Sequence, residues 1–273
     1  MEFEGYTIEE PQAGVFAIDD EKGDSMYLIV GSEKALLIDT CLMKPDILPM
    51  LKTLTDKPIE LALTHAHIDH MYHCGEFDRV YLHENDIAAW KSGALVFLYY
   101  SGCLMFHLLP KKNGVGRFIP LMEGSVIPLG DNDVQVVPAF GHTPGSCIFV
   151  DTKHEMLFVG DAIGNGGASA WMWLPASSVT SEYQKSLKAM LENLKPFETY
   201  RFLGGHRPNT LPTPELPEGQ PITIQCIRDM DVLCSMMLDH SIEPVEKQRQ
   251  SLLTIWQYAY GTTGIWVTKG KIK

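Results

Sequence analysis

Positive charge is scarce in this 273-residue sequence, where 22 lysines and arginines face 34 acids for a formal charge of −12. So acidic a chain repels phosphate backbones and anionic bilayers, which argues against nucleic acid or a membrane surface as partner. The basic cluster Lys269, Lys271 and Lys273 reads as a solvated tail. The six cysteines include no C-x-x-C pair, which excludes the look of a disulfide framework and points to a reduced, cytoplasmic protein. The basic flank and apolar stretch of a signal peptide are missing from the first residues. Long apolar runs are also rare. Residues 93–110 form one of 18 residues, the lower limit for a membrane span, but Gly102, His107 and Pro110 interrupt it. It reads as a buried helix or an active-site lid.

What is present is enough apolar residue, 45% against 21% charged, to build a large core. Short β-branched or apolar runs at Val15–Ile18, Met26–Val30, Ala35–Ile38, Ile59–Leu63, Arg79–Leu82, Val134–Val137, Ile148–Val150, Met156–Val159 and Tyr200–Leu203 read as strands. Helical spacing follows Pro45, with Leu48, Leu51 and Leu54 on one face. It recurs after a Ser181/Gln184 capping box, through Tyr183, Leu187, Met190, Leu191 and Leu194. Strands alternating with helices make the chain α/β. The expected organisation is a body over 1–206 with an insertion at about 88–120, a proline-rich connection over 207–221, and a helical extension over 222–273. Two helices are expected in that extension, one through Cys226, Met230, Leu233 and Met237, the other through Val245, Leu252, Leu253, Trp256 and Tyr260.

The stretch Thr64-His65-Ala66-His67-Ile68-Asp69-His70 carries the strongest chemical signal. Neutral imidazole nitrogens and carboxylate oxygens are the donors that zinc and related ions take. Two histidines two apart at a strand end project to one side. By chance an H-x-H-x-D-H match arises in roughly one such sequence per thousand. Three further places put a donor just beyond a strand beside glycines: Gly141-His142-Thr143-Pro144-Gly145, Gly160-Asp161 and Gly204-Gly205-His206. His73 reads as structural or as a support behind the ligands, and His83 and His107 read as structural.

With these motifs in order, the sequence from about Gly14 to Pro208 resembles the metallo-β-lactamase-fold superfamily, whose fold is an αββα sandwich. The resemblance implies that His65, His67 and His142 hold one metal ion, that Asp69, His70 and His206 hold a second, and that Asp161 bridges them. It further implies that Asp39, in a segment similar to the family's opening hairpin, supports the ligands. The implied cofactor is two divalent ions, zinc first, with iron or manganese accepted by the same donors.

Relatives of the fold separate on single residues. Asp161 departs from true β-lactamases, His67 from flavodiiron proteins, Ala162-Ile163-Gly164-Asn165 from glyoxalase II and Gly164 from the lactonases, while the acidic surface suits no tRNA nuclease. The expected reaction is attack of a metal-bound hydroxide, oriented by Asp69, on an ester, thioester or lactone carbonyl of a small molecule. A mononuclear iron dioxygenase acting on a thiol or persulfide is the alternative. Trp171 and Trp173, with the insertion from Trp90 to Phe118, read as a wall for an apolar substrate group, with ordinary core or a homodimer contact as the other use of the same residues.

Overall fold

The computed structural model describes residues 2–42, 45–109, 117–165, 169–206, 221–250 and 253–273. Eight strands in chain order build the first sheet: β1 (Glu2–Phe3), β2 (Tyr6–Gln12), β3 (Val15–Asp20), β4 (Ser25–Val30), β5 (Ala35–Ile38), β6 (Ile59–Ala62), β7 (Val80–His83) and β8 (Phe118–Leu121). The first five pair antiparallel; β5 through β8 pair parallel. Parallel neighbours need crossovers. Among the described residues these carry α1 (Leu48–Leu54), α2 (Ile68–Met71), α3 (Glu84–Lys91) and α4 (Ala94–Met105).

The second sheet contains β9 (Val126–Pro128), β10 (Asp133–Pro138), β11 (Cys147–Asp151), β12 (Met156–Gly160) and β14 (Arg201–Gly204), with α5 (Thr180–Leu194) crossing between the parallel pair β12 and β14.

Side-chain alternation explains why these sheets stack. On β4, Tyr27 and Ile29 point one way and Met26 and Leu28 the other; on β11, Cys147 and Phe149 oppose Ile148 and Val150. Tyr27, Ile29, Phe149 and Phe158 meet in a core between the sheets. The opposite face of the first sheet packs on Ile47, Leu51, Leu95 and Tyr99, and that of the second on Tyr183, Leu187 and Ile227. The central strands β5, β7, β11 and β12 are buried on both faces, so they read as continuous apolar runs, and the four layers are those of an αββα sandwich.

Several expectations shift. The first of the two C-terminal helices is α6 (Ile224–Leu238). The second is not helical, so the extension is mixed rather than all-helical. Its residues form β15 (Glu246–Gln250), β16 (Leu253–Tyr260) and β17 (Thr263–Thr268), a sheet completed by β13 (Ser169–Trp171), which pairs parallel to β17. On β16 Ile255, Gln257, Tyr258 and Ala259 are all buried, so both faces of the strand are covered and no clean alternation marks it in the sequence.

The capping box at Ser181 is not made: Val179 caps α5 without a side-chain bond, and Gln184 donates instead to Asp231 and Ser235 of α6. The first helix starts at Leu48 with Pro49 in its opening turn, later than Pro45 suggests. The apolar run yields the twelve-residue α4, and among the described residues no helix is long and apolar enough to cross a membrane. The connection over 207–221 lies, apart from Pro221, outside the described residues.

Candidate metal centre

Every donor named above leaves a strand of the sandwich at the same edge. His65, His67, Asp69 and His70 follow β6, His142 lies between β10 and β11, Asp161 follows β12, and His206 follows β14. Close approach of the elements needs glycine at the end of β12. At Gly160, φ is +48°, and a Cβ would lie 2.5 Å from Thr64 Oγ1.

The donors fall into two groups. His65 Nε2 lies 3.0 Å from His67 Nδ1, which lies 2.8 Å from His142 Nε2. Three edge-on rings converging this way approach the about 3.3 Å spacing that a tetrahedral ion with nitrogen bonds of about 2.0–2.1 Å imposes on its donors. In the second group Asp69, His70, Asp161 and His206 present ligand atoms within 4.8 Å of one another. Asp161 stands between the groups. Its Oδ1 lies 3.4 Å from His70 Nε2 and 3.2 Å from His206 Nε2, while Oδ2 lies 3.5 Å from His142 Nε2. His67 Nε2, His70 Nε2 and Asp161 Oδ1 are buried without a hydrogen-bond partner. Buried polar atoms are rarely left so, and this donor set of five imidazoles and two carboxylates is one that divalent ions complete.

The outward nitrogens of His70, His142 and His206 are held in turn, which fixes the face each of these rings offers. Asp39 Oδ2 lies 2.9 Å from His70 Nδ1 and accepts from Thr64 Oγ1 at 2.7 Å, while Asp39 Oδ1 accepts from Thr64 N at 2.8 Å. Asp39 makes these contacts at φ +62°, a left-handed conformation seldom taken outside glycine. His142 Nδ1 donates to the Trp171 carbonyl at 2.8 Å. Asp24 Oδ1 lies 2.9 Å from His206 Nδ1, and Asn165 Nδ2 donates to Asp161 Oδ2.

Asp24 and Asn165 were not singled out as site residues from the sequence. The Asp24 contact spans 182 residues and rests on an isolated bridge between the two chain segments, so no local pattern announces it. His73 lies apart, 2.5 Å from Glu76, whose other oxygen accepts from Leu48 N at the start of α1. His83 caps α3.

Charge divides the groups. Burial, reinforced by neighbouring histidines, holds His65 and His67 well below the usual imidazole range, and burial also lowers His142. For His70 and His206 burial acts in the same direction, but the carboxylates of Asp161 and Asp69 outweigh it and raise both well above that range. Burial would raise Asp161; His206 and His70 overcome it and hold the carboxyl well below normal.

Above the donors opens a cavity of about 350 Å³. Leu98, Gly102, Met105 and Phe106, on and just after α4, form one wall; Trp171, Trp173 and Leu174 form the other; Asp69, Asp161, His142 and His206 lie at its floor. Both tryptophans line this cavity. The aromatic insertion divides. Phe106 reaches the cavity, Tyr99 is core, Trp90 packs on Tyr99 and Phe118, and Phe97 and Tyr100 face outward at 66% and 55% exposure. The tryptophan wall is fixed by the C-terminal sheet. Strand β13 ends in Trp171, Met172 N donates to Trp266 O, and Lys271 Nζ donates to the carbonyls of Leu174 and Ser177 at 2.6 and 2.5 Å.

Comparison with known proteins places these features. A family model described as the metallo-β-lactamase superfamily matches residues 20–206. Over 220 residues the chain is 30% identical to a chicken (Gallus gallus) protein named acyl-coenzyme A thioesterase MBLAC2, covering 71% of this chain and 78% of that one. The solved structure of TTHA1623 in a di-iron-bound form is similar at 25% identity and a TM-score of 0.54, covering 74% of this chain and 91% of that one. An archaeal relative in fold, ST1585 from Sulfolobus tokodaii, gives a TM-score of 0.55 at 18% identity, with 89% and 91% coverage.

Proposed function

We propose, from the premise that the chain belongs to the metallo-β-lactamase superfamily and is a hydrolase, that it cleaves a thioester whose acyl group is apolar, using two divalent ions. The observation that carries the reading is the placement of an apolar cavity directly over both donor groups. The similarity to a protein named as an acyl-coenzyme A thioesterase supports the thioester among the carbonyl substrates.

His65, His67 and His142 would hold one ion and Asp69, His70 and His206 the other, with Asp161 shared. When bound, such ions supply an acidified water and polarise a carbonyl oxygen. The chain's own part is orientation and exclusion. The acyl group lies between Phe106 and Met105 on one side and Trp171 and Trp173 on the other, which sets the scissile carbonyl at the floor and keeps bulk water from it. Asp69 is the most accessible carboxylate of the second group, with a side chain 24% exposed, and its Oδ2 lies 3.6 Å from His70 Nε2 and 3.5 Å from His206 Nε2. From there it accepts a hydrogen bond from the attacking water and fixes its direction. The test is turnover of acyl thioesters, followed by release of free thiol, before and after removal of metal with a chelator. Turnover should vanish and return on adding zinc; thioesterase activity indifferent to the chelator would contradict the reading.

The charge division has a measurable consequence. In the metal-free fold His70 and His206 bind protons above their usual pKa of about 6.5, so the stability they contribute is complete below that pH and is lost as pH rises through their raised values. An ion entering the second group must displace those protons, whereas His65 and His67 are already neutral. Metal titrations should show affinity for the second ion climbing with pH between 6 and 8 and affinity for the first nearly flat. Equal slopes for both ions would contradict this assignment.

A further inference from the structure

We propose that Asp86 is a positioning residue for the first donor group, a single carboxylate that fixes the separation of the loops carrying His65, His67 and His142. Asp86 lies in the first turn of α3 with no exposed surface, and it does not line the cavity. Its Oδ2 accepts from Ala66 N at 2.9 Å and from Thr143 Oγ1 at 2.8 Å, and its Oδ1 accepts from Gly145 N at 2.6 Å. Ala66 stands between the first two histidines, and Thr143 follows the third. One side chain therefore bonds both loops, from behind the rings.

The local structure is built for this contact. A Cβ at Gly145 would lie 2.5 Å from Asp86 N and 2.8 Å from its Cβ and Cγ, so only glycine lets the loop come so near. Asn85 Nδ2 donates to Pro144 O at 3.2 Å and holds α3 to the second loop, and Cys147 N donates to Thr64 O at 2.9 Å, tying the two segments directly. Helix α3 is itself aimed by His83, the last residue of β7, whose Nδ1 accepts from Asn85 N.

An uncharged core would avoid the cost of burying a carboxylate, which pushes the Asp86 pKa up to about 6 against the pull of its three donors. Three converging donors need a group that only accepts. Asparagine offers one oxygen, and its amide would turn N–H toward at least one N–H or O–H of the loops. Removing a group hydrogen-bonded to a metal ligand typically costs about 10–100-fold in metal affinity, and Asp86 acts one step further out, on the backbone beside the ligands.

The inference rests on the metal reading of the first group and not on the identity of the substrate. The experiment is competition of metal-free wild type, Asp86→Asn and Thr143→Val against a chromophoric zinc chelator, with thermal melts of the same samples. Asp86→Asn should weaken the first ion by about 10–100-fold and the second by less than about threefold. Thr143→Val should weaken the first ion by a smaller factor, and the double variant by less than the product of the two. If Asp86→Asn does not fold, Thr143→Val alone decides: weaker first-ion binding supports the role, and wild-type binding overturns it. A folded Asp86→Asn with wild-type affinity and only a lower melting temperature would make Asp86 a stabilising residue and overturn the proposal. A wild type that binds no ion would overturn it together with the metal reading.

Discussion

Asp161→Ala should reduce bound metal from two ions per chain to one and lower kcat/KM for a thioester by at least about two orders of magnitude. The reason is where the carboxylate stands. Oδ1 faces His70 and His206, and Oδ2 faces His142, so one side chain serves both donor groups. Two dications brought to neighbouring positions repel, and a shared carboxylate offsets part of that repulsion. Removing it also frees His70 and His206 from the charge that keeps them protonated in the metal-free fold. Metal analysis after dialysis, with turnover on the same sample, reads both effects. Two ions retained per chain would remove Asp161 from its bridging place.

A second large effect is expected along a series of acyl thioesters. The cavity of about 350 Å³ is near the lower end of the about 300–1,000 Å³ usual for small-molecule sites, and its walls are apolar. Each methylene it buries contributes up to about 0.8 kcal/mol, so four to six give about 3–5 kcal/mol, a factor of several hundred to several thousand in kcat/KM. From acetyl to octanoyl the rate constant should climb steeply, then level once the chain outgrows the cavity. Trp171→Phe should flatten the climb while keeping the backbone carbonyl that orients His142. Lys271→Met should flatten it less, because it only loosens the loop from Leu174 to Ser177. An unchanged chain-length profile in both variants would assign the tryptophan wall to core packing.

How far the sequence discloses this site depends on the reach of each interaction. The donors themselves are legible because they lie in short motifs in the loops that follow strands. Of the groups that aim them, Asp39 is suggested by the family resemblance, and the rest are not. Asp86 reaches Thr143 and Gly145 across 57 and 59 positions, and Asp24 reaches His206 across 182. Such partners become visible only when the strands are stacked.

The same holds for the C-terminal segment. Trp256 and Tyr260 are four apart and imitate a helical face, whereas Thr254, Ile255, Trp256, Tyr258 and Tyr260 are also residues that favour strands. Pairing with β17, beyond a turn at Gly261 with φ +57°, decides between the two. That tertiary choice matters for chemistry, since β17 in turn holds the strand that ends in Trp171. The aromatic insertion shows the converse limit. Its residues share one composition, yet the rotation of α4 sends Tyr99 into the core and Phe97 and Tyr100 outward.

The central claim, a hydrolase that uses two metal ions on an apolar acyl thioester, is tested most directly by titrating metal-free protein with zinc under anaerobic conditions while following thiol release from octanoyl-coenzyme A. Activity should rise with added metal and level at two equivalents per chain, with octanoate and free thiol formed in equal amounts. Leveling at one equivalent of zinc, or no thiol release at any zinc level, would contradict the account, and oxygen consumption with oxidation of a persulfide in a parallel aerobic titration with ferrous iron would establish the dioxygenase reading in its place.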